Sequence, residues 1–154
     1  MEQIKRAEEI AREAHKGQIR WGGSPYIEHP TRVALSFNDL DCKIVGWLHD
    51  VIEDTDITAQ DLVNKGISVR LVNSIKNLTK KEGENYYVFI MRIATDKIAT
   101  KVKIADIEDN LSDNLKEGSL KDKYRLARHI LIHKPHNKST RGKRNGKNIN
   151  WIIK

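Results

Sequence analysis

Apolar residues over the first 133 positions recur every three or four places, the spacing of one face of a helix. From Glu2 to Lys16, the residues Ile4, Ala7, Ile10, Ala11 and Ala14 form one stripe and predict a first helix. In HPTRVALSF, Pro30 falls in the first turn of a second helix, where its missing N–H costs nothing. A third helix is expected from about Asp41 to Glu53. Thr58 with Asp61 three residues on reads as a capping-box variant opening a short helix to Lys65. Ser68 is the expected N-cap of the next, with Val69, Val72, Ile75 and Leu78 along it. Tyr86, Phe89, Ile90 and Ile93 mark a sixth helix, and Asp96 caps a seventh through KIATKVKIADIEDNL. The last runs from about Leu120 to His133 with Tyr124, Ala127 and Leu131 inward. Strand alternation is nearly absent. The one longer irregular stretch is GQIRWGGSPYIE, broken by Gly17, Gly22, Gly23 and Pro25. The expected fold is all-α, a helical bundle.

Length and charge divide this picture in two. A chain of 154 residues is one domain's worth and can bury a real core. It has no apolar run of about 18 residues, so no membrane span is expected. MEQIKRAEEIAREAHKG lacks the apolar centre of a signal peptide. The single Cys42 excludes an internal disulfide and fits a reducing compartment. A soluble, cytoplasmic protein is expected. The net charge of +7 lies wholly in residues 133–154, which hold seven Lys/Arg and no acid. Residues 1–132 are therefore read as the folded domain and 133–154 as a basic, flexible tail. The basic run within 134–147 suits weak contact with nucleic acid, and a solvated end is the plainer reading. The final INWIIK is an apolar plug able to dock on the body or on a second subunit, so an oligomer is open.

Four ionisable residues, His49, Asp50, Glu53 and Asp54, interrupt the otherwise apolar stretch GWLHDVIEDTDIT. Burying such groups without partners costs several kcal/mol each, which calls for a compensating ion or partner. Imidazole plus carboxylate suits a borderline divalent metal. Glu53, on the same side of the helix as His49 and Asp50, is placed either to take a proton from water or to stand behind the ligands. Further ligands must come from elsewhere. His29 in PYIEHP, expected just before the second helix, and Asp106 in VKIADIEDN are ligand types in apolar settings. Each has a plain alternative: a hydrogen-bonded His49–Asp50 pair, a core or helix-start His29, and an Asp106 paired with Lys103.

The segments AHKGQIRWGGSPYIEHPTRVA, WLHDVIEDTDIT and VKIADIEDNL resemble, in order, three hallmark segments of the HD-domain hydrolases of the RelA/SpoT type. These remove the 3′-pyrophosphate of the alarmones ppGpp and pppGpp, leaving GDP or GTP. The resemblance covers about residues 7–132 and is to stand-alone small alarmone hydrolases such as the metazoan SpoT homologues; a synthetase activity is not expected. It implies an HD-domain helical bundle with a metal site between helices. His29, His49, Asp50 and Asp106 would hold the metal, Mn²⁺ or another divalent transition metal. Glu53 and Asp54 would orient or deprotonate the attacking water. Arg20 would pack on the purine, Asn110 would contact the sugar-phosphate, and Tyr124 matches a late substrate-side aromatic. His15, in the first segment, is open between ligand contact and packing. Two departures stand out. Trp21 replaces a usual Lys and offers a second stacking surface, and IEDNLSD replaces RLHNMRT, adding Glu108, Asp109 and Asp113. The implied activity is metal-dependent release of the 3′-pyrophosphate. The alternatives are another nucleotide, such as the ribose phosphate of NADPH, and a nucleic-acid binder acting through the tail.

Overall fold

One helix is apolar on nearly every side, and four others pack around it. A computed structural model describes residues 2–20, 22–113 and 118–134. Trp21, the run 135–147 and the apolar INWIIK lie outside the described residues, and so does nearly all of the expected tail. The described residues form nine α-helices: α1 (Glu2–Ala14), α2 (Glu28–Leu35), α3 (Leu40–Leu48), α4 (Val51–Asp54), α5 (Ala59–Asn64), α6 (Val69–Leu78), α7 (Tyr86–Ile93), α8 (Lys97–Ser112) and α9 (Ser119–His133). They include no strand element, only an isolated bridge between Ile19 and Pro25. None of the helices is long and apolar enough to cross a membrane.

Cys42, Ile44, Val45, Gly46, Trp47 and Leu48 of α3 are all buried, as expected of a helix apolar all round. Helices α1, α2, α6 and α8 pack against it, and α9 covers α7 and α8. The core continues through Ile75, Ile90, Ile93, Ile107 and Leu131. Each such side chain contributes about 1.5–3 kcal/mol by leaving water. Helices α2 and α3 approach closely because position 46 has no side chain: a Cβ there would lie 2.9 Å from the Ala34 Cα.

The caps hold the ends. Asp39 accepts from the Cys42 N–H, and Thr58 and Asp61 form the expected capping box. Asp96 caps α8 with one oxygen and binds Ser74 and Asn77 of α6 with the other. Ser68 occupies the N-cap position of α6, but its side chain makes no capping bond.

Two expectations are corrected. The helix predicted over 41–53 is two helices, broken at His49 and Asp50. Asp50 sits at φ −101°, ψ −8°, and its carboxylate turns away from the α4 N-terminus toward Tyr26 and His49. His29, expected to precede a helix, is the second residue of α2, with Pro30 behind it in the first turn.

Candidate metal centre and adjoining cleft

The break after α3 is what lets neighbouring residues converge. On a continuous helix, His49 and Asp50 would point about 100° apart. With the turn between them, His49 Nε2 lies 3.0 Å from Asp50 Oδ2. Helix α2 brings His29 Nε2 to 3.2 Å from His49 Nε2 and 3.6 Å from Asp50 Oδ2. One donor atom from each of His29, His49 and Asp50 lies within 4.8 Å of the others. Helix α8 adds Asp106, whose Oδ1 is 3.1 Å from His29 Nε2 and 3.8 Å from His49 Nε2. Both imidazoles and Asp106 are buried.

The far sides of these groups fix their near sides. His49 Nδ1–H donates to the Gly46 carbonyl at 2.8 Å. His29 Nδ1 lies 2.6 Å from Asp109 Oδ2, and as a donor it leaves Nε2 unprotonated. Two imidazole lone pairs then face each other at 3.2 Å beside two carboxylates. This donor set fits a divalent cation of borderline softness. Without one, the carboxylates draw protons to the rings. Burial opposes the imidazolium, but Asp106 and Asp109 at His29, and Asp50 and Asp106 at His49, raise both pKa values. Burial likewise works against the Asp106 carboxylate, yet Lys103 and the two histidines hold it well below its ordinary range. Lys103 Nζ binds Asp106 Oδ2 at 2.7 Å, so the expected ion pair and the cluster coexist, one on each carboxylate oxygen.

A cleft of about 370 Å³ opens over this cluster. It is lined by Arg20, His29, Asp50, Glu53, Asp54, Asp106, Asn110 and Tyr124 among the residues singled out from the sequence. His49 lies behind it, buried. Asn110 bridges the two walls: its Nδ2 donates to Asp106 Oδ1 at 2.7 Å, and its Oδ1 accepts from Arg20 at 2.7 Å. Arg20 is presented by a tight loop in which its carbonyl accepts from Gly23 N at 2.8 Å and its own N–H donates to Ser24 O at 2.9 Å. Gly23 takes φ +86°, a conformation costly for residues with a Cβ. The Arg20 guanidinium also pairs with Asp113 at 2.8 Å. Trp21, the proposed second stacking surface, lies outside the described residues.

Glu53 and Asp54 stand on the opposite rim, on α4. Burial first, then the charge of Asp50, pushes both carboxyl pKa values up. One Glu53 oxygen accepts from Lys80 N–H at 2.8 Å, which orients it across the break between α6 and α7. His15 packs: its ring lies 4.8 Å from that of Tyr26, and its Nδ1 meets Gln18 Oε1 at 2.8 Å. It does not line the cleft.

Three residues at the site were not chosen from the sequence for a role there. Tyr26 places its hydroxyl 2.7 Å from Asp50 Oδ2 and 2.9 Å from Asp54 Oδ2. Lys103 and Asp109 are the others. The only sequence signal for the last two is their position, one helical turn on either side of Asp106.

No family model matches the chain. It is similar to the guanosine-3′,5′-bis(diphosphate) 3′-pyrophosphohydrolase of Aquifex aeolicus, 34% identical over 122 residues, covering 71% of the chain and 17% of that protein. It is 36% identical over 149 residues to the bifunctional (p)ppGpp synthase/hydrolase SpoT of Escherichia coli, covering 84% of the chain and 21% of that protein. The chain thus spans about a fifth of the length of these curated relatives. Among solved structures, it matches a metazoan orthologue of SpoT, described as hydrolysing ppGpp, with a TM-score of 0.68 and 17% identity, over 87% of each chain. The fold is that of the metazoan SpoT orthologue, and in sequence the chain is a homologue of one segment of the SpoT-type pyrophosphohydrolases.

Proposed function

We propose that this chain is a metal-dependent phosphohydrolase that removes the 3′-pyrophosphate of ppGpp and pppGpp, giving GDP and GTP. The observation that carries the reading is the convergence of two imidazoles and two carboxylates beneath a cleft with acids on one rim and Arg20, Asn110 and Tyr124 on the other. The relatives reported above are named for this chemistry. Residues 1–132 are read as the catalytic unit and the basic remainder as an appendage.

In this reading His29, His49, Asp50 and Asp106 hold a divalent cation, Mn²⁺ or a similar ion. When bound, the cation supplies Lewis-acid activation of water and neutralises phosphate charge. Glu53, kept basic by burial, takes a proton from the attacking water, and Asp54 with Tyr26 orients it. The water oxygen bonds to the phosphorus attached to the ribose 3′-oxygen. The 3′-oxygen–phosphorus bond breaks, the 3′-oxygen takes up a proton, and pyrophosphate is released. Arg20, already held by Asn110 and Asp113, needs little ordering to meet the base or a phosphate.

The test is Mn²⁺-dependent release of pyrophosphate from ppGpp, run beside NADPH, with a His49→Ala/Asp50→Ala variant as control. Release from ppGpp that vanishes in the variant is expected. Metal binding without release from ppGpp overturns the substrate, and phosphate release from NADPH would then identify the alternative.

A further inference from the structure

Asp109 comes from the stretch in which this chain departs from the RelA/SpoT pattern, and its side chain is only 9% exposed. A carboxylate so placed is costly unless it is fully hydrogen-bonded. Its Oδ2 lies 2.6 Å from His29 Nδ1, 3.0 Å from an Arg32 terminal nitrogen and 3.4 Å from Arg20. Its Oδ1 accepts from Arg32 Nε at 2.6 Å. Two helices therefore engage through paired turns. Helix α2 offers His29 and Arg32, and α8 offers Asp106 and Asp109, each pair three residues apart. The His29 ring has a carboxylate at each edge, Asp106 3.1 Å from Nε2 and Asp109 2.6 Å from Nδ1.

We propose that Asp109 is a positioning residue for the metal centre: it fixes His29 in the Nδ1–H form, aims Nε2 at the cation and makes the ring a stronger donor. The inference rests on reading His29 as a metal ligand. A carboxylate on the outer nitrogen of a ligating imidazole fixes its tautomer and orientation, and its loss commonly costs about 10–100-fold in metal affinity. Arg32, through a two-point grip, neutralises the buried carboxylate and ties α2 to α8, while the bond from Asp109 to His29 stands without it. Through Arg20, the same carboxylate reaches the substrate wall of the cleft.

The competing explanation is that Asp109 only ties α2 to α8 through Arg32. Calorimetric titration of the whole chain with Mn²⁺ separates the two, comparing the parent with Asp109→Asn and Arg32→Gln. The positioning role predicts about 10–100-fold weaker binding for Asp109→Asn. Arg32→Gln, which keeps the bond to His29, should melt at a lower temperature but bind within about threefold of the parent, below the loss expected from a missing orienting group. Unchanged affinity in Asp109→Asn, or an equal loss in both variants, overturns the role while leaving the metal centre standing. A parent that binds no ion overturns the metal reading itself and the role with it. If Asp109→Asn does not fold, the His29 tautomer in the parent loaded with diamagnetic Zn²⁺ decides, read from long-range ¹H–¹⁵N NMR. A proton on Nδ1 supports the role, and a ring protonated on Nε2 alone refutes it.

Discussion

Gly46→Ala is the substitution most directly tied to the way the site is assembled. In most helix interiors this change stabilises by about 1 kcal/mol, because alanine is the better helix former. Here the new methyl would stand 2.9 Å from the Ala34 Cα, 3.1 Å from its backbone nitrogen and 3.4 Å from its Cβ. Carbon atoms in contact settle at about 3.5–4.0 Å, so α2 must retreat by roughly half an ångström or more. The obstacle is backbone, which cannot rotate aside. Overpacking of this kind costs about 1–3 kcal/mol. Net of the gain in propensity, the variant should lose up to about 2 kcal/mol, or up to about 8 °C in Tm for a chain of this size.

The same shift acts on the site. Ala34 and His29 share α2, while Gly46 lies three residues before His49 and its carbonyl holds His49 Nδ1. Pushing the helices apart therefore opens the 3.2 Å gap between the two Nε2 atoms. Thermal unfolding followed by circular dichroism, with Mn²⁺ titration by calorimetry, reads both effects. Gly22→Ala is the control, since nothing lies within 4 Å of its Cβ position. A Gly46→Ala protein that melts at or above the parent temperature and binds the ion equally well would refute the reasoning.

Three further outcomes are expected. Glu53→Gln should lower kcat by about 10²–10⁴ while the ion still binds, because it removes a proton acceptor and keeps the shape; full activity in a pyrophosphate-release assay would dismiss Glu53 as the base. Adding the divalent ion to chelated protein should raise the unfolding free energy by about 2.7 kcal/mol at a hundredfold excess over Kd, seen as a higher Tm, and His49→Ala should abolish that rise. Away from the site, Arg92 grips Glu84 at 3.0 and 2.8 Å and, with the Lys81 N–H, holds its pKa down to about 2. A folded-state value below the unfolded one contributes stability above about pH 4.5 that fades as the pH falls toward 2. The gap in Tm between the parent and Glu84→Gln should therefore be present at pH 6 and narrower at pH 3.

How far the structure can be read from the chain depends on whether the cause is local. The positions of most of the helices follow from apolar stripes and from caps such as Asp96 and the Thr58–Asp61 pair, which act over one turn. Arg20, His29, Asp50, Asp106 and Asn110 stand in motifs, and all of them line one cleft. The break between α3 and α4 has no local signature, for neither His49 nor Asp50 is a helix breaker. It follows from Tyr26 and the His49 ring drawing the Asp50 carboxylate away from the helix. Glu53 cannot be oriented from spacing either, since its direction depends on Lys80, 27 residues on.

Asp109 makes the point most sharply. As a string, IED offers two adjacent acids, Glu108 and Asp109, with no reason to rank them. Glu108 is half-exposed and pairs with Arg128 on α9, so its charge stays in solvent. One residue further round the helix, Asp109 faces α2 and meets His29 and Arg32 together. A rotation of about 100° per residue thus separates a surface ion pair from a carboxylate seated behind a candidate ligand. Which of the two faces the site is decided by the packing of α8 against α2. That packing depends in turn on the small residues Ala34 and Gly46, which let α2 lie close to α3.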